Sequence, residues 1–586
     1  MTEQYGPTLP ISKEIHAMKY RSEGETFKEA MARVADALKD NEEHFNVLRD
    51  ILYNQRFLPA GRVQAAMGSP RVTTPYNCFV SGTIKDSFDS IMDRAKEAAE
   101  TMRLGGGIGY DFSTLRPRGA NISTLDSRSS GPVSFMGIYD ALCKTIASAG
   151  HRRGAQMGVL RVDHPDIEEF VTAKTNHDNL TQFNISVGIT DSFMEAVKND
   201  EGFDLVFDGR TYKTVRAKAL WEKILRCTWD WAEPGVLFID RMNKKNNLHY
   251  CETIAATNPC GEQPLPPHGA CLLGSFNLVK YVRQGSLLNF EELVFDYEAF
   301  KHDIEPVVRA MDNVVDRAVY PLPQQEQEAK NKRRMGLGVT GLANAGEACG
   351  YKYGSPEFLR FVENVMGTLG DTAYRSSISL AIEKGPFPAF SLSLLDSAFA
   401  KTLPEDIRSD IRSYGLRNSH LLSIAPTGTI SLSADNVSSG IEPVFSHSYD
   451  RTIQTFEGPK VEKVEDYGVR VFGVKGVTAD ELDVSAHTAV LCTASHYVDS
   501  ACSKTINVGA SVTWEEFKEV YMQAYEGGAS GCTTFRSAGK RYGILNANAA
   551  EDVAEEPEVK EDTDFVSEAE GAACYFDPVT GQKECS

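Results

Sequence analysis

Two thiols, a carboxylate and an amide lie within the fourteen residues from Asn258 to Cys271, in the run TNPCGEQPLPPHGAC. Four prolines and two glycines punctuate this run, which excludes a regular helix and implies a shaped loop. Pro259 and Gly261 flank Cys260 and constrain its turn, while Asn258 and Glu262 stand two residues to either side. In extended backbone, residues two apart face the same way, so one surface would present amide, thiol and carboxylate together. That set suits radical chemistry on a polyol. A thiyl radical can exchange hydrogen with a sugar carbon, a carboxylate can take the proton of a neighbouring hydroxyl, and an amide can hold a second hydroxyl. Nucleophilic catalysis fits less well, because no histidine adjoins Cys260 as a base. Zinc is the competing use: Cys260, His268 and Cys271 could give three ligands, but C-x7-H-x2-C matches no common closed site.

Two further segments bear on chemistry. Pro426, Thr427, Gly428 and Thr429 follow the apolar run HLLSIA, and a glycine-containing turn from strand to helix can cradle phosphates through backbone N–H groups and hydroxyls. At the other extreme, Cys574 and Cys585 flank an Asp-Pro-Val-Thr-Gly turn that could bring the two sulfurs together. They end a stretch whose residues 551–570 hold ten acids and one lysine, so 546–586 reads as a flexible acidic tail carrying a redox pair.

The elements that must position these groups are legible in outline. Residues 1–70 read as a small helical region, with apolar residues at three-and-four spacing in EGETFKEAMARVADALKD. A second amphipathic run, SFDSIMDRAKEAAETMRL, breaks at Gly105, Gly106 and Gly107, which do not follow a dinucleotide-binding frame. Their expected use is close approach of backbone to the substrate. From there to about residue 545, strand-like runs (FNISVGI, DLVFDG, HLLSIA) alternate with helical ones (SFMEAVKND, WEEFKEVYMQAYEGG), which predicts an α/β body over 71–545. The net charge of −20 argues against a nucleic-acid partner. Twelve cysteines without a single C-x-x-C argue against a disulfide scaffold or zinc ribbon. No apolar run approaches the roughly 20 residues of a membrane span, and no signal-peptide pattern opens the chain, so the sequence predicts a cytoplasmic protein with no membrane partner.

The loop around Cys260 resembles the finger-loop signature of ribonucleotide reductase catalytic chains. The likeness runs in order through RFLPAGR, TPYNCFV, GGGIGYDFSTLRP, SSGPVSFM, RRGAQMGVLRVDHPDIEEFV, FNISVGITDSF, RRMGLGVTGLA, APTGTISL and SKTIN. It implies a ten-stranded α/β barrel with the finger loop through its centre, and reduction of ribonucleotides, expected as diphosphates. It implies roles too. Cys260 corresponds to the thiyl-radical cysteine that takes the ribose 3′ hydrogen, Glu262 to the base for the 3′ hydroxyl, and Asn258 to the amide holding the sugar hydroxyls. Cys78 and Cys271 correspond to the pair that reduces the 2′ position and closes to a disulfide. Cys574 and Cys585 correspond in role to the tail pair that reopens it, though spaced more widely than usual. Pro426–Thr429 corresponds to the substrate-phosphate segment.

The same resemblance implies a homodimer and a dNTP or ATP specificity effector, with Asp86, Ser87, Phe88 and Ser129–Met136 at the effector site and Arg152–Met157 in the loop beyond it. Only 77 residues precede Cys78, too few for an ATP-cone, so overall-activity control is expected to be missing. A thioredoxin- or glutaredoxin-like protein is the expected reductant. The radical source is expected to be adenosylcobalamin, with no metal held by the chain itself. Phe535-Arg536 stands where a chain using a metal-bearing small subunit would place two adjacent tyrosines. Phenylalanine has no O–H hydrogen to exchange. The alternative is a class I large subunit with its metal cofactor in a partner subunit.

Overall fold

The computed structural model describes residues 5–122, 126–148, 152–153, 155–176, 179–285, 292–455, 458–536, 539, 574–576 and 583–585. The chain opens on helices α1 (Pro10–Tyr20), α2 (Phe27–Leu38) and α3 (Glu42–Tyr53), strand β1 (Phe57–Pro59) and helix α4 (Gly61–Ala66). In α2 the buried residues are Phe27, Ala30, Met31, Val34, Ala35 and Leu38, one helical stripe. Thr26 and Glu29 close a reciprocal capping box at its start. These helices share a hydrophobic core with the finger-loop strands and the long helices Tyr297–Arg317 and Pro356–Lys384. Within the region 1–70, expected to be helical, strand β1 also stands, pairing antiparallel with the strand Leu273–Asn277.

The main sheet has eight strands. In order across the sheet they are Ala270–Cys271, β2 (Cys78–Val80), β3 (Gly107–Asp111), Gln156–Arg161, Phe183–Ile189, Gly235–Phe238, Gly531–Arg536 and Thr505–Val508. From β2 to Gly235–Phe238 every neighbour is parallel, and the outermost helices, α5 (Phe88–Arg103) and α6 (Pro132–Thr145) among them, cover that face. A second sheet joins β1, Leu273–Asn277 and Gly336–Thr340. The two sheets meet through the continuous run 270–277 at one side. At the other they meet through the bridges Leu337–Leu422 and Ile424–Cys502.

The regular ladders thus form eight- and three-stranded sheets rather than one closed set of ten strands. The run HLLSIA makes only single bridges, because the N–H groups of Leu421 and Leu422 go to the Asp499 carboxylate and not to a neighbouring strand. DLVFDG lies outside both sheets, in the hairpin Gly202–Phe207/Arg210–Arg216. FNISVGI and the helices Asp191–Asn199 and Trp514–Glu526 stand where the sequence pattern puts them. Among the described residues no helix is long and apolar enough to cross a membrane.

Candidate functional site

Cys78 and Cys271 are register partners across an antiparallel strand pair, both buried and neither in a disulfide. Partners in such a ladder have Cα atoms about 4.5–5.5 Å apart, inside the range a disulfide spans. Burial pushes the Cys271 thiol far up, with Glu262 and Cys78 adding in the same direction. On its other side β2 sets Gly107 opposite Cys78. A Cβ there would meet Cys78 Sγ and Pro259 Cγ at 3.2 Å.

The finger loop is a tight turn. Ala256–Thr257 pairs with Pro264–Leu265, Asn258 N donates to Gln263 O at 3.1 Å, and Gly261 takes φ 83°, which glycine accepts freely. Asn258 Oδ1 accepts from Gly261 N (3.1 Å) and Gln263 N (3.0 Å), so half of this amide shapes the loop. Its Nδ2 lies 4.0 Å from Cys271 Sγ. The backbone carbonyl of Glu262 is held by Ser423 Oγ at 2.9 Å and Ala501 N at 3.0 Å. Cys260 is 6% exposed and disulfide-bonded, a form with no S–H hydrogen to give.

Cys260, Glu262 and Cys78 line one cleft. Ala425, Pro426, Thr427, Thr429 and Ile430 line the same cleft. Thr427 has φ 57° and starts the short helix Gly428–Leu432. Its hydroxyl accepts from Gly440 N at 2.7 Å and lies 2.9 Å from Thr340 Oγ1, so it braces the turn. The first N–H groups of that helix have no intrahelical partner. The strands Cys574–Phe576 and Lys583–Cys585 pair antiparallel with Cys574 opposite Cys585, and the second lies beside the helix Gly428–Leu432. The rest of the acidic tail falls outside the described residues.

Several expected site residues stand elsewhere. Gly105, Gly106 and Gly107 do not line the cleft, and a Cβ on each would strike Arg62, Phe79 or the Cys78–Pro259 wall. Their crowding is with protein. Asp86 pairs with Arg116 (2.7 Å), Ser87 caps α5, and Phe88 is 67% exposed, all away from the cleft. Much of Arg152–Met157 lies outside the described side chains. The sequence reading missed Tyr20, Asn77 and Ser275, which also line the cleft. Asn77 adjoins Cys78 and could have been suspected, but Tyr20 ends a helix far away in sequence and carried no signal. Phe535 is buried in its strand and Arg536 stacks over Trp229 at 3.9 Å. Tyr521 and Tyr525 bond Thr534 and Asp191, and neither lines the cleft.

The ribonucleotide reductase barrel-domain family matches residues 76–472 and 460–535. The vitamin B12-dependent ribonucleoside-diphosphate reductase of Thermoplasma acidophilum is 33% identical over 575 residues, covering 92% of this chain and 71% of that protein. The enzyme of the same description from Mycobacterium tuberculosis H37Rv is 34% identical over 557 residues, with 90% and 74% covered. The ribonucleoside-diphosphate reductase large subunit of Vaccinia virus is 28% identical over 450 residues, with 69% and 57% covered.

Proposed function

The chain belongs to the ribonucleotide reductase family, and from that membership we propose that it reduces ribonucleotides, as diphosphates, to 2′-deoxyribonucleotides with adenosylcobalamin as radical generator. One observation carries the reading: Cys260, Glu262 and Cys78 line a single cleft with the Thr427 turn, with Cys271 in register against Cys78. In this assignment a dithiol reductant first opens the Cys260 disulfide to the thiol; the Cys260 thiyl then takes the 3′ hydrogen and Glu262 accepts the 3′ hydroxyl proton. The Asn258 amide N–H2 steadies the sugar hydroxyls. Cys78 and Cys271 give two hydrogens, the 2′ hydroxyl leaves as water, and their sulfurs join. Cys260 then returns hydrogen to C3′.

Homolysis of a cobalt–carbon bond is the chemistry the coenzyme supplies when bound. The residues present fit that source. Cys260 lies on the cleft wall at the tip of its turn, and no tyrosine stands at Phe535-Arg536 to relay a radical from a partner. The turn Asn258–Gln263 would hold the coenzyme's radical-generating end beside Cys260. The names of the Thermoplasma and Mycobacterium relatives support the same branch over the class I alternative.

The tail pair Cys574/Cys585 resets the internal pair and passes its own disulfide to a thioredoxin- or glutaredoxin-like protein. Residues 71–545 form the catalytic body, which we read as the family's ten-stranded barrel, with 1–70 as a helical cover and 546–586 as the redox tail. Exposed Phe88, Met92 and Ile138 on α5 and α6 support a homodimer across those helices, with the specificity effector near Asp86–Phe88. The test is dithiothreitol-driven reduction of CDP or ADP with adenosylcobalamin and no partner protein. Turnover is expected, with none in Cys260→Ser. Silence with the coenzyme, followed by activity on adding a metal-loaded small subunit, would overturn the cobalamin assignment.

A further inference from the structure

Two donors hold the backbone carbonyl of Glu262, Ser423 Oγ at 2.9 Å and Ala501 N at 3.0 Å. They come from segments far apart in sequence. Both segments are tied by one side chain, Asp499, which is 3% exposed. Its Oδ2 accepts from Leu421 N at 2.7 Å and Tyr374 Oη at 2.8 Å, and its Oδ1 from Leu422 N at 3.0 Å and Ser500 Oγ at 3.3 Å. Ser500 N in turn donates to Leu422 O at 3.2 Å, locking the two segments together.

We propose that Asp499 is a positioning residue for the catalytic base, fixing through Ser423 and Ala501 where Glu262 meets the substrate. This rests on the reading of Glu262 as that base. A carboxylate is the group the site needs. Four donors converge on it, and only an ionised carboxyl offers two oxygens with about four lone-pair sites and no hydrogen. Asparagine would turn an N–H2 toward an N–H or O–H donor.

The surroundings make this anchor sensitive to pH. Burial raises the Asp499 carboxyl to about 6, against the lowering effect of its backbone and tyrosine donors and of Lys245. Lys245 is half-buried and donates to Ser495 O at 2.8 Å. Arg334 also faces it, but its guanidinium is spent on Glu252 and Glu328. Tyr374 and Cys502 are held protonated by burial, and His420 beside them is held neutral. Protonating Asp499 replaces one acceptor with an O–H and releases a donor of the 421–422 segment.

The full-length enzyme is assayed with adenosylcobalamin and dithiothreitol. Asp499→Asn should lower kcat on the order of 10²-fold, as a displacement near 1 Å does, and leave KM within about threefold, because the phosphate wall is untouched. The acid limb of kcat against pH should be steeper in the wild type, where both Asp499 and Glu262 must be ionised, than in the variant. Wild-type kcat and an unchanged acid limb in Asp499→Asn would overturn the inference. Should that variant fail to fold, Ser423→Ala decides: it removes one holder of the Glu262 carbonyl and is expected to cut kcat while keeping the steep limb. Full activity there also refutes the proposal. Glu262→Gln separates the two readings, since turnover in that variant would sink the base assignment itself.

Discussion

Gly109 offers a sharp test of how the finger loop is held. It lies in β3, and a Cβ at this position would stand 1.9 Å from the backbone oxygen of Thr257, the residue before Asn258. Carbon and oxygen pack no closer than roughly 3.2 Å, so Gly109→Ala must separate β3 from the loop by more than about 1 Å. Neither partner can rotate away, because the oxygen is backbone and the Cβ is fixed rigidly to its Cα. The shift falls three residues from Cys260, in a loop that sets thiol, amide and carboxylate against one substrate. A displacement of that size costs on the order of 10²-fold in rate, or about 2.7 kcal/mol of transition-state stabilisation. Gly188→Ala serves as control in the same sheet, since its Cβ would meet nothing nearer than 3.7 Å. Both variants are assayed for kcat with adenosylcobalamin and dithiothreitol. Purified Gly109→Ala within threefold of wild type would show that the loop tolerates displacement, and the account of its anchoring would be wrong.

Other consequences follow from the same contacts. Cys574→Ser should support a single turnover from fully reduced protein yet fail to recycle with thioredoxin, while dithiothreitol restores multiple turnover; steady thioredoxin-driven turnover would remove the tail from the relay. Arg334→Met leaves Glu252 and Glu328 buried beside Lys332 alone, and should cost about 3–5 kcal/mol in denaturant unfolding; a loss under one would mean the cluster relaxes freely. Burial raises the Glu347 carboxyl from 4.5 to about 7, so its folded state favours the protonated form. The stability tied to that proton is full below pH 4.5 and gone above about 7, worth up to about 3 kcal/mol. Glu347→Gln should therefore raise the melting temperature at pH 8 and change it little at pH 4.5, and equal shifts at both would refute the assignment.

What could be read in the sequence was local. α2 and α5 follow from apolar spacing, and both stand as expected. The Cys260 turn follows from its flanking proline and glycine. Other features depend on partners distant in sequence. Phe57–Pro59 becomes a strand only because Gly274–Phe276 lie alongside it. The glycines at 105–107 were expected to admit substrate. Their missing side chains instead admit Arg62, Phe79 and Cys78, which no local pattern reveals. Asp499 has no motif at all, and its importance arises from four donors contributed by three separate stretches of chain.

These distant contacts share one physical purpose. A thiyl radical has to reach one sugar hydrogen and no other, so the tip of the finger loop must not wander. Regular hydrogen-bonded sheet cannot supply that restraint, because the prolines around Cys260 lack N–H donors and Gly261 turns the chain aside. The restraint comes from three directions instead. β3 presses on Thr257 through a bare glycine, Asn258 closes the turn on itself, and Ser423 with Ala501 grips the Glu262 carbonyl. Each rests on one or two contacts that a change at a single side chain can disturb. Substitutions at Gly109, Asn258 or Ser423 should therefore reduce turnover more than they reduce stability, whereas a core truncation such as Val339→Ala should do the reverse. Melting temperature and kcat measured across this set would expose the opposite ordering if the loop were held by bulk packing alone.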